Sequence, residues 1–290
     1  MHSIQIRQSN PDDLPHLRDI WERVFGGEDG ELFFERYYRP ERCIVADVEG
    51  RIAAMGFLLP FGKLVFEEKM LPCAMIYALA TTSENRGLGL ASKIVEELVH
   101  SASATGFPVT VLCPTTDDLF QFYKKISSFR EFFYVSETVL EGVTAFQRSG
   151  ASLSGIRSEE YLRIRERILA KTPHIQMDIE AIRYQEKLSE LYNGGLYKAE
   201  SGGTEACLAI ERVSDSEILV KELLAEGFIN EIINAVALMF PADKYVVRMP
   251  LSEKNKKKCT KRFGMLNAPD YIIEESGLRN TFPWYGFAFD

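Results

Sequence analysis

The sequence predicts an α/β protein of the α+β kind, a mixed central sheet flanked by helices, followed by a second and degenerate lobe of the same plan. Three observations carry this. Two apolar runs, Met75–Ala80 and Val109–Leu112, bracket an amphipathic stretch headed by a glycine turn, Arg86-Gly87-Leu88-Gly89-Leu90-Ala91. That is the pattern of a strand, a helix and a parallel strand. Short alternating stretches around this unit supply antiparallel strands. The second half then repeats the order of the first, which points to an internal duplication. A chain of 290 residues has room for two domains.

In chain order, Ile4 and Ile6 alternate with polar residues in an edge strand from Ser3 to Arg7. Asn10-Pro11-Asp12-Asp13 starts a helix, with Asn10 or Asp12 as cap and acids at the positive end of the dipole. Leu14, Leu17, Ile20, Trp21 and Val24 form its buried stripe, and Gly26-Gly27 ends it. Leu32, Phe33, Arg36 and Tyr37 mark a second short helix before Pro40. Cys43–Val48 and Ile52–Leu59 read as a hairpin about Glu49-Gly50, and Leu64–Met70 as a further strand extension. After the central unit, Asp117–Lys125 reads as a helix, and Phe129–Phe133 and Tyr134–Leu140 as two strands.

The first domain is therefore expected over residues 1–146, with a small-residue linker from Arg148 to Gly155 and the second domain over 156–290. In that domain Glu159–Leu169 and Met177–Leu188 read as helices, Asn193-Gly194-Gly195 as a turn, and Ala206–Val213 and Ile218–Leu224 as strands. A helix from Ile229 to Phe240 and a strand from Tyr245 to Met249 follow. Only Glu226-Gly227 stands where the first half has its glycine turn, so a copied anion site would be lost. The basic run Lys254–Arg262 reads as a solvated loop.

Composition narrows the function classes. Apolar residues at 46% and charged residues at 26% are ordinary for a packed domain, and a net charge of −8 argues against a surface for nucleic acid. The five cysteines form no Cys-x-x-Cys pair, and His2, His16, His100 and His174 lack ligand spacing, so neither a zinc site nor any other metal is expected. No apolar run reaches the roughly 18 residues of a membrane span. No basic-then-apolar leader pattern is present, so no membrane partner and a cytoplasmic location are expected. A homo-oligomer stays open. Cys113, before a proline, reads as a buried structural thiol rather than a nucleophile.

The glycine turn is where chemistry is expected. The first turn of a helix carries unpaired N–H groups and partial positive charge, which suits a phosphate. Gly87 and Gly89 let the backbone approach a ligand, and Arg86 adds a permanent charge. A dinucleotide-binding unit does not fit. Five polar residues separate Ala80 from Arg86, the next strand ends in Leu112-Cys113-Pro114 without an acid, and Ser92 holds the third glycine position.

The stretch resembles the GNAT superfamily of acetyl-CoA-dependent N-acetyltransferases. The resemblance rests on Gln/Arg-x-x-Gly-x-Gly/Ala, matched by Arg86-Gly87-Leu88-Gly89-Leu90-Ala91, and on the strand Met75–Thr81 before it. It rests also on Phe122-Tyr123-Lys124-Lys125-Ile126-Ser127-Ser128-Phe129, where the family has a Phe-Tyr-x-x-x-Gly-Phe-like element. Ser128 stands in place of the usual glycine. The likeness covers roughly residues 1 to 140.

The resemblance implies a site. Backbone amides of Arg86, Gly87, Leu88, Gly89, Leu90 and Ala91 would hold the CoA pyrophosphate, and the backbone of Leu79, Ala80 and Thr81 the pantetheine arm. Tyr123 would be the general acid toward the leaving thiolate. The aromatic end, Phe282 to Asp290, is expected to dock rather than fray. It resembles the end of the two-lobed acetyltransferases related to the mycobacterial enhanced intracellular survival protein, whose terminal carboxylate is a general base. That implies such a role for Asp290. The activity implied is N-acetyl transfer from acetyl-CoA to a primary amine of a small molecule or peptide. The alternative is a non-catalytic acyl-CoA-binding or regulatory protein.

Overall fold

The computed structural model describes residues 3–143, 150–252, 260–274 and 281–289. The chain divides into two units that are not continuous in sequence. The first consists of Met1–Leu64, Met70–Phe132 and Gly264–Glu275, and the second of Val65–Lys69, Phe133–Phe263 and Ser276–Asp290. The sequence reading cuts the chain once, after residue 146. The units instead part inside a strand, and the first recovers a piece from late in the chain.

The first unit opens with β1 (Ile4–Gln8) and α1 (Leu14–Val24). Asn10 caps the single 3-10 turn Pro11–Asp13 that leads into α1: its side chain accepts from the Asp12 amide at 2.9 Å while Asp13 reaches back to the Asn10 amide at 2.8 Å. Arg7 pairs with Asp13 at 2.7 Å, and this hydrogen bond holds the Asp13 carboxyl below its ordinary pKa. After α2 (Asp29–Arg36) come β2 (Cys43–Val48), β3 (Arg51–Phe66) and β4 (Lys69–Thr81). The expected extension at Leu64–Met70 is a reversal, because Glu67 takes φ +50° between β3 and β4. Then follow α3 (Leu90–Ala104), β5 (Val109–Leu112) and α4 (Asp117–Lys125).

The strands run in the order β1-β2-β3-β4-β5, antiparallel between β1 and β2 and between β2 and β3, and parallel between β4 and β5. On the far side of β5 lies the end of a strand absent from the sequence reading, β13 (Thr260–Asn267), with Met265, Leu266 and Asn267 opposite Leu112, Val111 and Thr110. Helix α3 lies close on β3. A Cβ at Gly56 would stand 2.9 Å from Ile94 and 3.0 Å from Leu98, so only glycine admits the helix at this distance.

The second unit carries β6 (Arg130–Glu141) from Phe133 onward, then β7 (Ser152–Gly155), α5 (Ser158–Leu169), β8 (His174–Met177) and α6 (Ile179–Leu191). Next come β9 (Gly195–Ser201), β10 (Thr204–Ser214), β11 (Glu217–Leu224), α7 (Ile229–Met239) and β12 (Lys244–Pro250). The structure departs from the sequence expectations at three places. The two strands expected at Phe129–Leu140 are one, since nothing between Phe133 and Tyr134 turns the chain. The end of the expected linker is β7, paired with β9 from Ser152↔Glu200 to Gly155↔Tyr197. The start of the helix expected at Met177 belongs to β8. Residues 254–259 of the basic run lie outside the described residues.

The strand order β6-β12-β11-β10-β9-β7 contains a parallel pair, β11 and β12, joined by α7. This repeats β4-α3-β5. Even the helix cap is alike: Phe228 and Gly89 both precede their helices in a left-handed conformation, at φ +45° and +72°.

The aromatic tail belongs to this second unit and is buried over Trp284–Phe289. Glu222, fully buried on β11, gathers three donors. Trp284 Nε1 donates at 2.7 Å, the Tyr161 hydroxyl at 2.8 Å and Arg165 Nε at 3.0 Å. Gly286, at φ +91°, passes so near that a Cβ would meet Arg165 Nη2 at 2.8 Å. Phe289 sets its ring edge against Tyr184, centroids 4.8 Å apart. Substituting Glu222→Leu removes the buried carboxylate from the buried Arg165 guanidinium, leaves it only the partly exposed carboxylate of Glu166 at 2.9 Å, and strips Trp284 and Tyr161 of their acceptor. A loss of about 3–5 kcal/mol is expected in urea unfolding, and a loss below about 1 kcal/mol would show that the cluster does not hold the tail.

Candidate functional site

The site is built where β4 ends and α3 begins. Pairing between β4 and β5 is confined to Cys73↔Val109, Ala74↔Thr110 and Met75↔Val111. Past Met75, β4 runs six residues further, through Ala78 at φ +47° and on to Thr81, without a β5 partner among the described pairings. A strand with one edge unpaired offers backbone N–H and C=O groups to an extended ligand. Leu79, Ala80 and Thr81 lie in this free stretch. On the other side the chain is fixed to β3, with the Thr82 amide donating to Ala53 O at 2.9 Å.

The turn that follows is folded by its own polar residues. Asn85 donates from its side chain to Thr82 Oγ1 at 3.0 Å and from its backbone to Thr82 O at 3.1 Å. Gly87 and Gly89 then sit at φ +85° and +72°, with no atom within 4 Å of where a Cβ would lie. Glycine is needed here for its backbone angle, and the space in front of it is open. No side chain caps α3. Among the described residues, the amides of Gly87, Leu88, Gly89, Leu90, Ala91 and Ser92 have no acceptor within the chain, and the first intrahelical bond is Lys93 N to Gly89 O at 3.3 Å. The Arg86 amide is directed at Ser83 O, 3.4 Å away.

Two cations stand at the cradle, with Glu84 of the preceding turn directed to Arg23 at 3.8 Å. Arg86 and Lys93 are exposed and make no ion pair among the described residues, and no acid lies in the first turn of α3. A lysine in a first turn opposes the helix dipole. Such a local conflict is the kind of signal a functional site leaves, and the sequence reading passed over it. The arrangement fits a phosphorylated ligand on three counts: unpaired amides, open space over two left-handed glycines, and two free cations.

Tyr123 lies on α4, buried to 7% exposure, in the same core cluster as Leu90, Leu112, Phe120 and Phe129. Its ring meets Phe122 and Phe129 edge-on, at 5.1 and 6.0 Å between centroids. Its hydroxyl has no hydrogen-bond partner among the described residues. Burial pushes the phenol above its ordinary pKa, so it stays protonated at neutral pH. The cradle residues lie along one stretch of chain from Leu79 to Ala91, and Tyr123 shares a core cluster with Leu90, the first residue of α3. Asp290 lies outside the described residues.

Other chemistries find little support. Burial pushes the Cys43 thiol up to about 12 and raises Cys73 likewise, which removes their thiolates at neutral pH. Among the described residues no group of His, Cys, Asp and Glu could hold a metal ion. No described helix is long and apolar enough to cross a membrane, which says nothing of strand-built barrels.

Comparison with known proteins adds a family and a fold. Residues 5–126 match the family model of the acetyltransferase (GNAT) domain. The structure is similar to a GCN5-related N-acetyltransferase from Kribbella flavida, at TM-score 0.68 and 15% identity, over 91% of this chain and 71% of that one. It is similar to another from Anabaena variabilis, at TM-score 0.68 and 16% identity, over 91% and 72%. A third likeness is to Eis1 from Mycobacterium abscessus, at TM-score 0.63 and 13% identity, over 92% and 73%. No protein of curated function matches the sequence. At these identities the structural likeness is one of fold.

Proposed function

We propose, since residues 5–126 match the family model of the GNAT acetyltransferase domain, that the chain is a member of that family and transfers the acetyl group of acetyl-CoA to a primary amine by direct attack in a ternary complex. The single observation that carries the donor assignment is the uncapped head of α3, six unpaired amides beneath two free cations. Gly87 to Ala91 would hold the pyrophosphate, and the free edge of Leu79–Thr81 the pantetheine arm. An amide of that edge directed at the thioester oxygen stabilises the negative charge that develops there.

The acceptor nitrogen forms its bond to the carbonyl carbon and the carbon–sulfur bond breaks. One proton must leave the nitrogen and one must reach the sulfur. A free alkyl amine has a pKa of about 10.4, so attack requires its deprotonation. Tyr123, kept protonated by burial, supplies the proton to sulfur. The Asp290 carboxylate is the reading for the base, and it rests on the resemblance of the aromatic end of the sequence.

The test is release of free thiol from acetyl-CoA against a panel of amines, with CoA binding measured in parallel. Amine-dependent release is expected. CoA binding without release for any amine would favour the non-catalytic alternative. A chain ending at Phe289 draws the terminal carboxylate back by one residue, about 3.3–3.6 Å of chain. It should lose kcat with unchanged CoA affinity, and full activity would remove Asp290 from the mechanism.

A further inference from the structure

The turn after α4 is strained, and a residue from far along the chain holds it. Ser127 and Ser128 both adopt left-handed backbone, at φ +47° and +56°. Neither is glycine, and two such residues in succession persist only where surrounding structure enforces them. The family element resembled here has a glycine at one of these positions. The enforcing contact is visible: the Asn267 side-chain amide donates to the carbonyl of Ser127, 140 residues earlier. Asn267 is fixed in turn by its place on β13, opposite Thr110 of β5.

What this turn supports is Tyr123. The Ile126 amide closes α4 onto Tyr123 O at 3.3 Å, and the Phe129 amide closes the turn onto Ile126 O at 3.5 Å. The reversal returns Phe129 to the Tyr123 ring. At its other end α4 is held by Thr116, whose hydroxyl accepts from the Leu119 amide at 3.3 Å. A nine-residue helix pinned at both ends has little freedom to shift its penultimate turn.

We infer that Asn267 is a positioning residue for acetyl transfer: by holding the strained Ser127–Ser128 turn it sets the place of the Tyr123 hydroxyl. The inference rests on the general-acid reading of Tyr123. A displacement of about 1 Å in a reacting group costs on the order of 100-fold in rate. Asn267 acts through the turn, through Phe129 and through the end of α4.

The experiment measures kcat and KM for acetyl-CoA in Asn267→Ala, alone and combined with Tyr123→Phe. Alone, the substitution should lower kcat by about 10- to 100-fold with KM within about twofold. In the Tyr123→Phe background it should cost nothing more, because residues acting as one unit are not additive. Asn267→Ala combined with Ser127→Gly and Ser128→Gly makes the left-handed turn native to the backbone, and kcat should return. This last variant also answers the case in which Asn267→Ala alone folds poorly. The inference is overturned if the kcat loss is the same in both backgrounds, or if the triple variant folds and stays slow. If Tyr123→Phe itself keeps full activity, the general-acid reading fails first. If Tyr123→Phe is slow and Asn267→Ala is normal, only the role of Asn267 falls.

Discussion

A fragment ending at residue 146, the boundary that chain continuity suggests, is expected not to fold as a cooperative domain. The first unit includes Gly264–Glu275. That segment brings Met265 and Leu266 at 0% exposure, Ile272 at 7% and Ile273 at 2%, the latter two from α8 (Asp270–Glu274). Burying four such side chains is worth about 1.5–3 kcal/mol each, or about 6–12 kcal/mol together. That is the size of a whole domain's stability, about 5–15 kcal/mol. The segment also adds an ion pair, Arg130 with Asp270 at 2.8 Å, on the half-exposed surface where it contributes little.

Losing the segment has a second effect. Val109–Leu112, buried at every position, would lose the strand opposite Leu112, Val111 and Thr110 and become an open apolar edge. The fragment should aggregate or melt without a sharp transition, as seen by size-exclusion chromatography and circular dichroism. A monomeric fragment melting within a few degrees of the full chain would show that the late strand only decorates the first unit.

Tyr123→Phe is expected to lower kcat by about 10²- to 10⁴-fold, the range for removing a general acid. CoA affinity should not change, and stability should move by no more than about 0.5 kcal/mol, because the hydroxyl has no partner to lose. The pH dependence follows from the direction of the shift. Desolvation favours the neutral phenol, so its pKa lies above the ordinary 10 and proton loss is deferred to more alkaline solution. The rate should therefore rise with pH as the acceptor amine loses its proton, with no fall from Tyr123 through neutral and mildly alkaline pH. The variant should show the same rising limb at a lower level. A variant within threefold of the parent, or one whose limb is displaced, would take the proton-donor role away from Tyr123.

Much of the fold was legible because it is written locally. Asn10-Pro11-Asp12-Asp13 carries its capping box within four residues, and the stripe from Leu90 to Ala102 carries its period within α3. The cradle was legible for the same reason, since Gly87 and Gly89 need only their own backbone angles. Lys93 could have strengthened it, as a cation placed against the dipole. What was missed lacks local apolar alternation. Ser152–Gly155 is polar and small, and β13 opens with Thr260-Lys261-Arg262, which extends a basic run and hides the apolar Phe263–Leu266 behind it.

The sequence by itself determined the helices other than α8, the parallel strand–helix–strand units in both halves, the glycine turn and the candidacy of Tyr123. Each of these depends on residues within a few turns of one another. The tertiary structure decided the rest: that a strand from the end of the chain closes the first unit beside β5, that Glu222 and Arg165 are buried around the tail, and that Asn267 holds the turn beneath Tyr123. These are pairings across tens to more than a hundred residues. Their favourable energy exists only once the chain has folded, so a short stretch of sequence carries no periodicity or propensity by which to read them.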